Sequence, residues 1–391
     1  MKILFCSQTH IKRELGGSKP LVELSEELER LDWKCDFVSP TDFASPGEEW
    51  NTSRALYPER LRDYLHRHAA KYDVVDYDHE YLPYPRHEFD DRPLFVARSV
   101  LLMLHLEHIA VPSGRSLKAR AGGILRRKQR AQERQLRIDN ARRTIAAADL
   151  VNVTNTDDEA ILKHAGVRAE KIVVLPFAIS RERRQMFNAL PTAPPAEPVI
   201  GFVGTFDYRK GANDFPKIVA RVLKSVPNAR FRLLGTGGMF QTKEEVEAHF
   251  PRHVLDRLEI VPRYAAAELP ELLSSCSIGM FPSYWEGFPF GVLEMLAASL
   301  PVVAYNSPGA PMMLPTDLLV PPGDTASMSA RLVALLSDQA ELERARRWAR
   351  KRSQDYNWEE VARMTSEVYL CCHTHRLRNL ERNDCARMAV R

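Results

Sequence analysis

Short apolar runs alternate along the chain with longer amphipathic stretches. KILFC (2–6) reads as a β-strand, a polar loop with Gly16 and Gly17 follows, and PLVELSEELERL (20–31) places apolar residues at helical spacing behind Pro20, a residue suited to a first helical turn. KCDFVSP (34–40), YDVVDYD (72–78), PLFVA (93–97), DLVNVT (149–154) and KIVVLP (171–176) read as later strands, with helical stretches between several of them. Near 178–197 the pattern breaks into a polar, proline-rich segment, and then it restarts. VIGFVG (199–204), RFRLLG (230–235), LEIV (258–261), SIGMFPS (277–283) and PVVAY (301–305) are strands, with helices expected around 213–225 and 325–337. Alternating β and α elements predict an α/β chain of two Rossmann-like, doubly wound halves, each with a parallel sheet covered on both faces. The expected division is 1–180, a linker at 181–197, 198–350, a C-terminal helix at 351–375 packing back on the first domain, and a basic tail at 376–391. Ligands of such sheets bind at the carboxyl ends of the strands, so a cleft between facing halves is the expected site.

Composition adds limits. A chain of 391 residues favours two domains. A net charge of +4 is too mild to point to nucleic acid. Six scattered cysteines show no disulfide framework and fit a reducing compartment. No apolar run approaches the roughly 20 residues needed to span a bilayer. The expected place is the cytoplasm, with a peripheral position at the inner membrane face as the alternative.

The candidate chemistry sits in the second half. In EGFPFGVLE (286–294) two carboxylates flank a loop that no helix would choose, and a helix is expected to start near Phe290 or Gly291. The free N–H groups of that helix start suit a diphosphate. Glu286 and Glu294, acceptors only, suit vicinal hydroxyls. A diphosphate between two hydroxyl-bearing ends describes a nucleotide sugar. VGTFDYRKG (203–211) adds Gly204 for a tight turn and Arg209 and Lys210 as cations, with a solvated basic turn as the plain alternative. LLGTGGM (233–239) adds Gly235, which allows close approach of a ligand but by itself is no more than a turn.

With these residues in place, the sequence resembles the retaining glycosyltransferases of the GT-B fold, the glycosyl transferases group 1 or family 4 type that includes sucrose synthases and bacterial mannosyltransferases. The family's E-G-F-x-x-x-x-x-E motif stands at Glu286, Gly287, Phe288 and Glu294. The resemblance implies that Glu286 meets donor-sugar hydroxyls, that Glu294 meets the ribose, and that the backbone around Phe290 and Gly291 lies at the diphosphate or the sugar. Gly204, Lys210 and Gly211 match the family's G-R-L-x-x-x-K-G pattern; Thr205 replaces its arginine, and Arg209 is placed to supply that charge. Gly16 and Gly17 match the loop that approaches the phosphates from the other domain. Ser299 stands where the family usually has glycine, and Pro308 to Met312 lack the family's G-G-x-x-E glutamate. The resemblance implies sugar transfer from a UDP- or GDP-linked donor with retention, no metal and no cofactor. The rivals are a non-catalytic partner subunit and another enzyme of this fold, such as a sugar-nucleotide epimerase.

The first half is then expected to hold a glycan or lipid-linked acceptor. VVDYDHEYLPYPRHEF (74–89) ends a strand in polar and tyrosine residues, of which Asp78, His79 and Tyr81 are the acceptor candidates. Asp76-x-Asp78 imitates the metal-binding D-x-D of a different glycosyltransferase fold, which nothing else here indicates. His105 is the candidate for the family's histidine near the donor sugar, with a packed helical histidine as the alternative. Residues 115–143 carry eleven Lys and Arg against Glu133 and Asp139 on an amphipathic pattern; an anionic membrane surface, an acidic acceptor or a solvated face would each explain it. CCHTH (371–375) has metal-ligand residue types without a partner pair and reads as a helix end.

Overall fold

The computed structural model describes residues 1–11, 18–112 and 123–388. Two parallel sheets of six strands organise it. The first contains β1 (Lys2–Cys6), β2 (Lys34–Val38), β3 (Val74–Asp78), β4 (Leu94–Arg98), β5 (Leu150–Val153) and β6 (Ile172–Val174), in the order β2-β1-β3-β4-β5-β6. The second contains β7 (Val199–Val203), β8 (Arg230–Leu234), β9 (Leu258–Val261), β10 (Ile278–Phe281), β11 (Val302–Tyr305) and β12 (Leu319–Val320), in the order β12-β11-β10-β7-β8-β9. The helices, in chain order, are α1 (Lys19–Glu29), α2 (Trp50–His68), α3 (Gly123–Ala147), α4 (Thr156–His164), α5 (Arg181–Asn188), α6 (Phe215–Ser225), α7 (Lys243–Glu247), α8 (Leu269–Ser274), α9 (Phe290–Ala297), α10 (Ala310–Met313), α11 (Thr325–Ser337), α12 (Gln339–Ser353) and α13 (Trp358–Met388). Central strands such as β3, β4, β7 and β10 are buried along their whole length, which is why they read as continuous apolar runs.

The chain packs as two compact units. The first gathers Met1–Leu104, the stretch leading to Phe177, and the chain from Trp358 on; the second holds Ala178–Asn357 together with the stretch that starts at His105. In the first unit α13 is fastened to the rest of the core. Trp358 Nε1 donates to Glu23 at 2.7 Å, Tyr369 Oη to Asp76 at 2.8 Å, and Arg376 pairs with Asp149 at 2.6 Å. This anchoring carries the helix to Met388, so most of the expected tail is helical, and Cys371–His375 lie inside a helix and not at its end.

The segment read as a linker also holds a helix. Ser180 caps α5, accepting the Arg183 N–H at 3.4 Å, and Arg183 and Phe187 are buried on one face. Beyond it, Arg346 of α12 is almost fully buried and donates to four carbonyls: Thr192 at 2.9 Å, Ala193 at 3.3 Å, Cys276 at 2.9 Å and Ser277 at 2.8 Å. Burial pushes its guanidinium down to about 10.

Ser299 explains its departure from the family's glycine. Its φ is +66°, the left-handed region that costs an L-residue roughly 1–2 kcal/mol. Its hydroxyl accepts from Arg350 Nε at 2.8 Å, an offset that glycine would not supply.

Candidate functional site

In the second sheet the chain runs outward from β7 to β8 and β9, then returns to lay β10, β11 and β12 on the other side. The switch point is therefore between β7 and β10, where an open α/β sheet forms its ligand crevice beyond the strand ends. The loops leaving these two strands carry the residues singled out above.

From the loop after β10, Glu286 reaches into a cationic cluster. Its Oε1 lies 2.7 Å from Lys210 Nζ and 3.0 Å from Arg209 Nη1, both from the loop after β7, and Ser283 Oγ donates to it at 2.5 Å. Burial pushes the Glu286 carboxyl up, but Lys210 and Arg209 outweigh it and leave the group below the usual carboxylate range. Burial likewise works against the Arg209 charge, and Glu286 and Asp207 beside it hold its pKa above the ordinary value. The two loops are laced together by their backbones as well: Tyr284 N–H donates to Arg209 O at 2.8 Å, and Arg209 Nη1 to Trp285 O at 2.7 Å.

Helix α9 begins at Phe290, close against β7. A Cβ built on Gly291 would stand 2.2 Å from Val203 O, so only glycine lets the helix start approach the strand this closely. The N–H groups of Val292 and Leu293 bond back to Pro289 O; that of Gly291 has no such bond among the described residues. Phe288 and Phe290 pack edge to face, 5.0 Å apart. Gly309, in the loop whose glutamate is missing, packs against the same turn: a Cβ there would meet Gly287 O at 2.7 Å.

Glu294 sits one turn inside α9, and its Oε1 is held at 2.5 Å by Arg183 of α5. Tyr264, just past β9, lies in the same neighbourhood. Its ring would be 3.2 Å from a Cβ on Gly235, and burial, followed by the Glu294 charge, raises its pKa. Arg183 and Tyr264 were missed in the sequence because both lie in stretches without a motif. The buried face of α5, hidden in a polar, proline-rich composition, was the available signal.

Comparison with known proteins gives this geometry its context. Residues 197–338, the segment holding all of these loops except Arg183, match the family described as Glycosyl transferases group 1. Among curated proteins, the chain is 28% identical over 227 residues to a glycogen synthase of Mycobacterium tuberculosis, covering 56% of this chain and 53% of that one. It thus spans about half the length of the curated relatives it matches. Among solved structures, sucrose-phosphate synthase from Thermosynechococcus elongatus superposes with a TM-score of 0.72 at 20% identity, over 96% of this chain and 100% of the other. Anabaena HepE in complex with UDP-glucose superposes with a TM-score of 0.65 at 18% identity, over 94% of this chain and 99% of the other. The fold is GT-B.

Beside the group 1 segment, the first unit places its own candidates at the carboxyl end of β3. Asp78 is turned toward Arg98 at 2.7 Å, and Asp76 pairs with the same buried guanidinium. The buried His79 ring accepts the Met103 N–H at 3.3 Å, and burial lowers its pKa, in keeping with a neutral ring. Glu80 is clasped by Arg137 at 2.7 and 3.0 Å. Tyr81 donates to Gln8. His105, which groups with the second unit, is buried in a short 3-10 turn, Met103–Glu107, its carbonyl taking the N–H groups of His108 and Ile109. Gly16 and Gly17 lie outside the described residues, as does the start of the basic segment, 115–122.

Proposed function

We propose that this protein is a retaining glycosyltransferase that moves a sugar from a UDP- or GDP-linked donor to a glycan or lipid-linked acceptor in the synthesis of a cell-surface polysaccharide or glycoconjugate, working in the cytoplasm. One observation carries the reading: Lys210 and Arg209 converge on Glu286 at the β7/β10 switch point, and Glu294 stands one turn inside the helix that follows. When the donor's anomeric C–O bond breaks, negative charge builds on the β-phosphate. Lys210, Arg209 and the Gly291 N–H are the groups that would stabilise it. The leaving phosphate oxygen then takes the proton of the acceptor hydroxyl as that oxygen bonds to the anomeric carbon on the same face. Glu286 orients the donor sugar. Two side-chain cations already supply the positive charge, so we take the reaction to be metal-independent.

The proposal is tested first by thermal shift of the full chain with UDP-, GDP-, ADP- and CDP-sugars, with NAD as control. A ligand at 100 times its Kd adds about 2.7 kcal/mol of stability. A response confined to UDP or GDP compounds is expected; a folded protein that answers to none would overturn the reading.

Glu294→Ala is expected to weaken nucleotide binding about tenfold or more, since a charged acceptor to the ribose hydroxyls is lost. Arg183 holds that carboxylate by one oxygen, so Arg183→Ala should weaken binding in the same direction. The double variant should show strong non-additivity, because the two groups act as one. Independent, additive losses in a calorimetric cycle would show that Arg183 does not act through Glu294.

Membrane contact belongs to the same proposal. Lys128, Arg130 and Arg134 of α3 are exposed, together with Leu136, which is 58% exposed. No helix among the described residues is long and apolar enough to cross a membrane. Co-sedimentation with vesicles containing phosphatidylglycerol, absent with phosphatidylcholine alone and reduced by K128Q/R130Q/R134Q, is the expected result. Equal behaviour on both vesicle types would remove the membrane from the account.

A further inference from the structure

The first sheet has a switch point of its own, between β1 and β3, with β2 on one side and β4 to β6 on the other. Asp78 and His79, the residues the sequence offered here, turn inward. What faces outward is a set of hydrogen-bond donors. Gln8, just past β1, uses its backbone N–H on Asp78 Oδ2 at 2.9 Å. Its side-chain oxygen accepts from Tyr81 Oη and, at 2.8 Å, from Arg54 Nη2. A guanidinium has only N–H groups to offer, so the amide oxygen must face it and the amide NH2 must point away. Arg54 also donates to Tyr81 Oη at 3.3 Å. Both of its partners are neutral, and among the described residues no carboxylate pairs with it.

Four acids of the first unit are otherwise engaged: Asp76 and Asp78 by Arg98, Glu80 by Arg137, Glu48 by Arg60. Arg54 therefore carries a positive charge with no anionic partner among the described residues. One turn earlier on α2, Trp50 stacks on the His10 imidazole, with ring centroids 3.9 Å apart and planes within 22°. Positions 50 and 54 fall on one helix face. Arg54 is exposed, and Trp50 and His10 are partly so.

We infer that the β1/β3 switch point is a subsite for an anionic sugar. Its carboxylate or phosphate is held by Arg54 and the Gln8 amide, and its ring lies against the Trp50–His10 pair. Donors whose partners are neutral favour a charged group that only accepts, and a guanidinium meets it with the planar fork that matches carboxylate and phosphate. The flat aromatic pair beside them suits the apolar face of a pyranose. Assigning this sugar to the acceptor rests on the glycosyltransferase reading; the subsite itself does not.

The test is a calorimetric titration of the full chain with methyl glucuronide, glucose 1-phosphate and methyl glucoside, with and without UDP. At least one anionic probe is expected to bind at millimolar concentration or below, the neutral glucoside not, and the preferred anion separates carboxylate from phosphate. Arg54→Gln and Trp50→Ala, at unburied positions, are expected to keep the parent melting temperature and weaken that probe at least tenfold, and Arg54→Gln to leave UDP affinity unchanged. The inference is overturned if neither anion binds, if the glucoside binds as well, if Arg54→Gln has no effect, or if UDP displaces the probe, which would give the anion site to the donor's diphosphate. Loss of UDP binding alone, with the anionic sugar still bound and still sensitive to Arg54→Gln, would sink the nucleotide-sugar reading and leave this site standing.

Discussion

Lys210→Ala is expected to lower turnover by about 10²–10³-fold, the usual cost of removing one group that stabilises charge formed in the transition state. The fold should survive. Glu286 would keep Arg209 at 3.0 Å and Ser283 at 2.5 Å, so its buried carboxylate is not left alone. The measurement is nucleoside diphosphate release at saturating donor, set beside the melting temperature. A large loss of turnover with little loss of stability assigns Lys210 to the chemistry. Turnover within about threefold of the parent would end its role at the phosphate. A collapse of stability instead would mean that the Lys210–Glu286 pair serves mainly to close the two loops on each other.

The second large effect concerns stability alone. Arg346 is a buried cation whose partners are all carbonyls, so its removal strands four of them away from water. Arg346→Ala should cost about 3–4 kcal/mol, within the range for breaking a buried charged network. For a unit of this size that is a fall of about 10 °C in melting temperature. A change under about 3 °C would show that water enters and satisfies the carbonyls. The same variant should bind nucleotide normally below its melting point, because Arg346 touches none of the loops at the β7/β10 switch point.

The sheets were largely legible because a strand buried on both faces has nothing to alternate with: VIGFV, IGMF and VVAY announce themselves as apolar runs. β12 escaped because two residues, Leu319 and Val320, form no pattern. Helix α5 escaped because only Arg183 and Phe187 of its eight residues are buried, too few for a periodic signal in a charged stretch. At the candidate site, Glu286, Lys210 and Glu294 were readable from one motif and one basic pair. Their mutual distances were not, since they depend on two loops that the β7/β10 pairing brings together. In the first unit, Asp78 and His79 looked available because they are polar at a strand end. Arg98, twenty residues downstream of Asp78, and the Met103 N–H claim them. The outward-facing groups, Gln8, Trp50 and Arg54, come from two separate elements and share no local pattern.

Ile179 and Asn357 form a parallel bridge, with Ile179 N–H donating to Tyr356 O at 3.3 Å, so the chain enters and leaves the second unit at one spot. On the other side of that junction, the rings of Phe177 and Trp358 have centroids 6.0 Å apart. In genetic terms 178–357, the main part of the second unit, is an insertion within the first. Its bounds at 178 and 357 take in α5 and the Arg346 strap, while a fragment begun at 197, where the family match starts, would lose Arg183 and two of the carbonyls that hold Arg346. Joining Phe177 to Trp358 through a short linker would leave every strand pairing of the first sheet on one continuous chain.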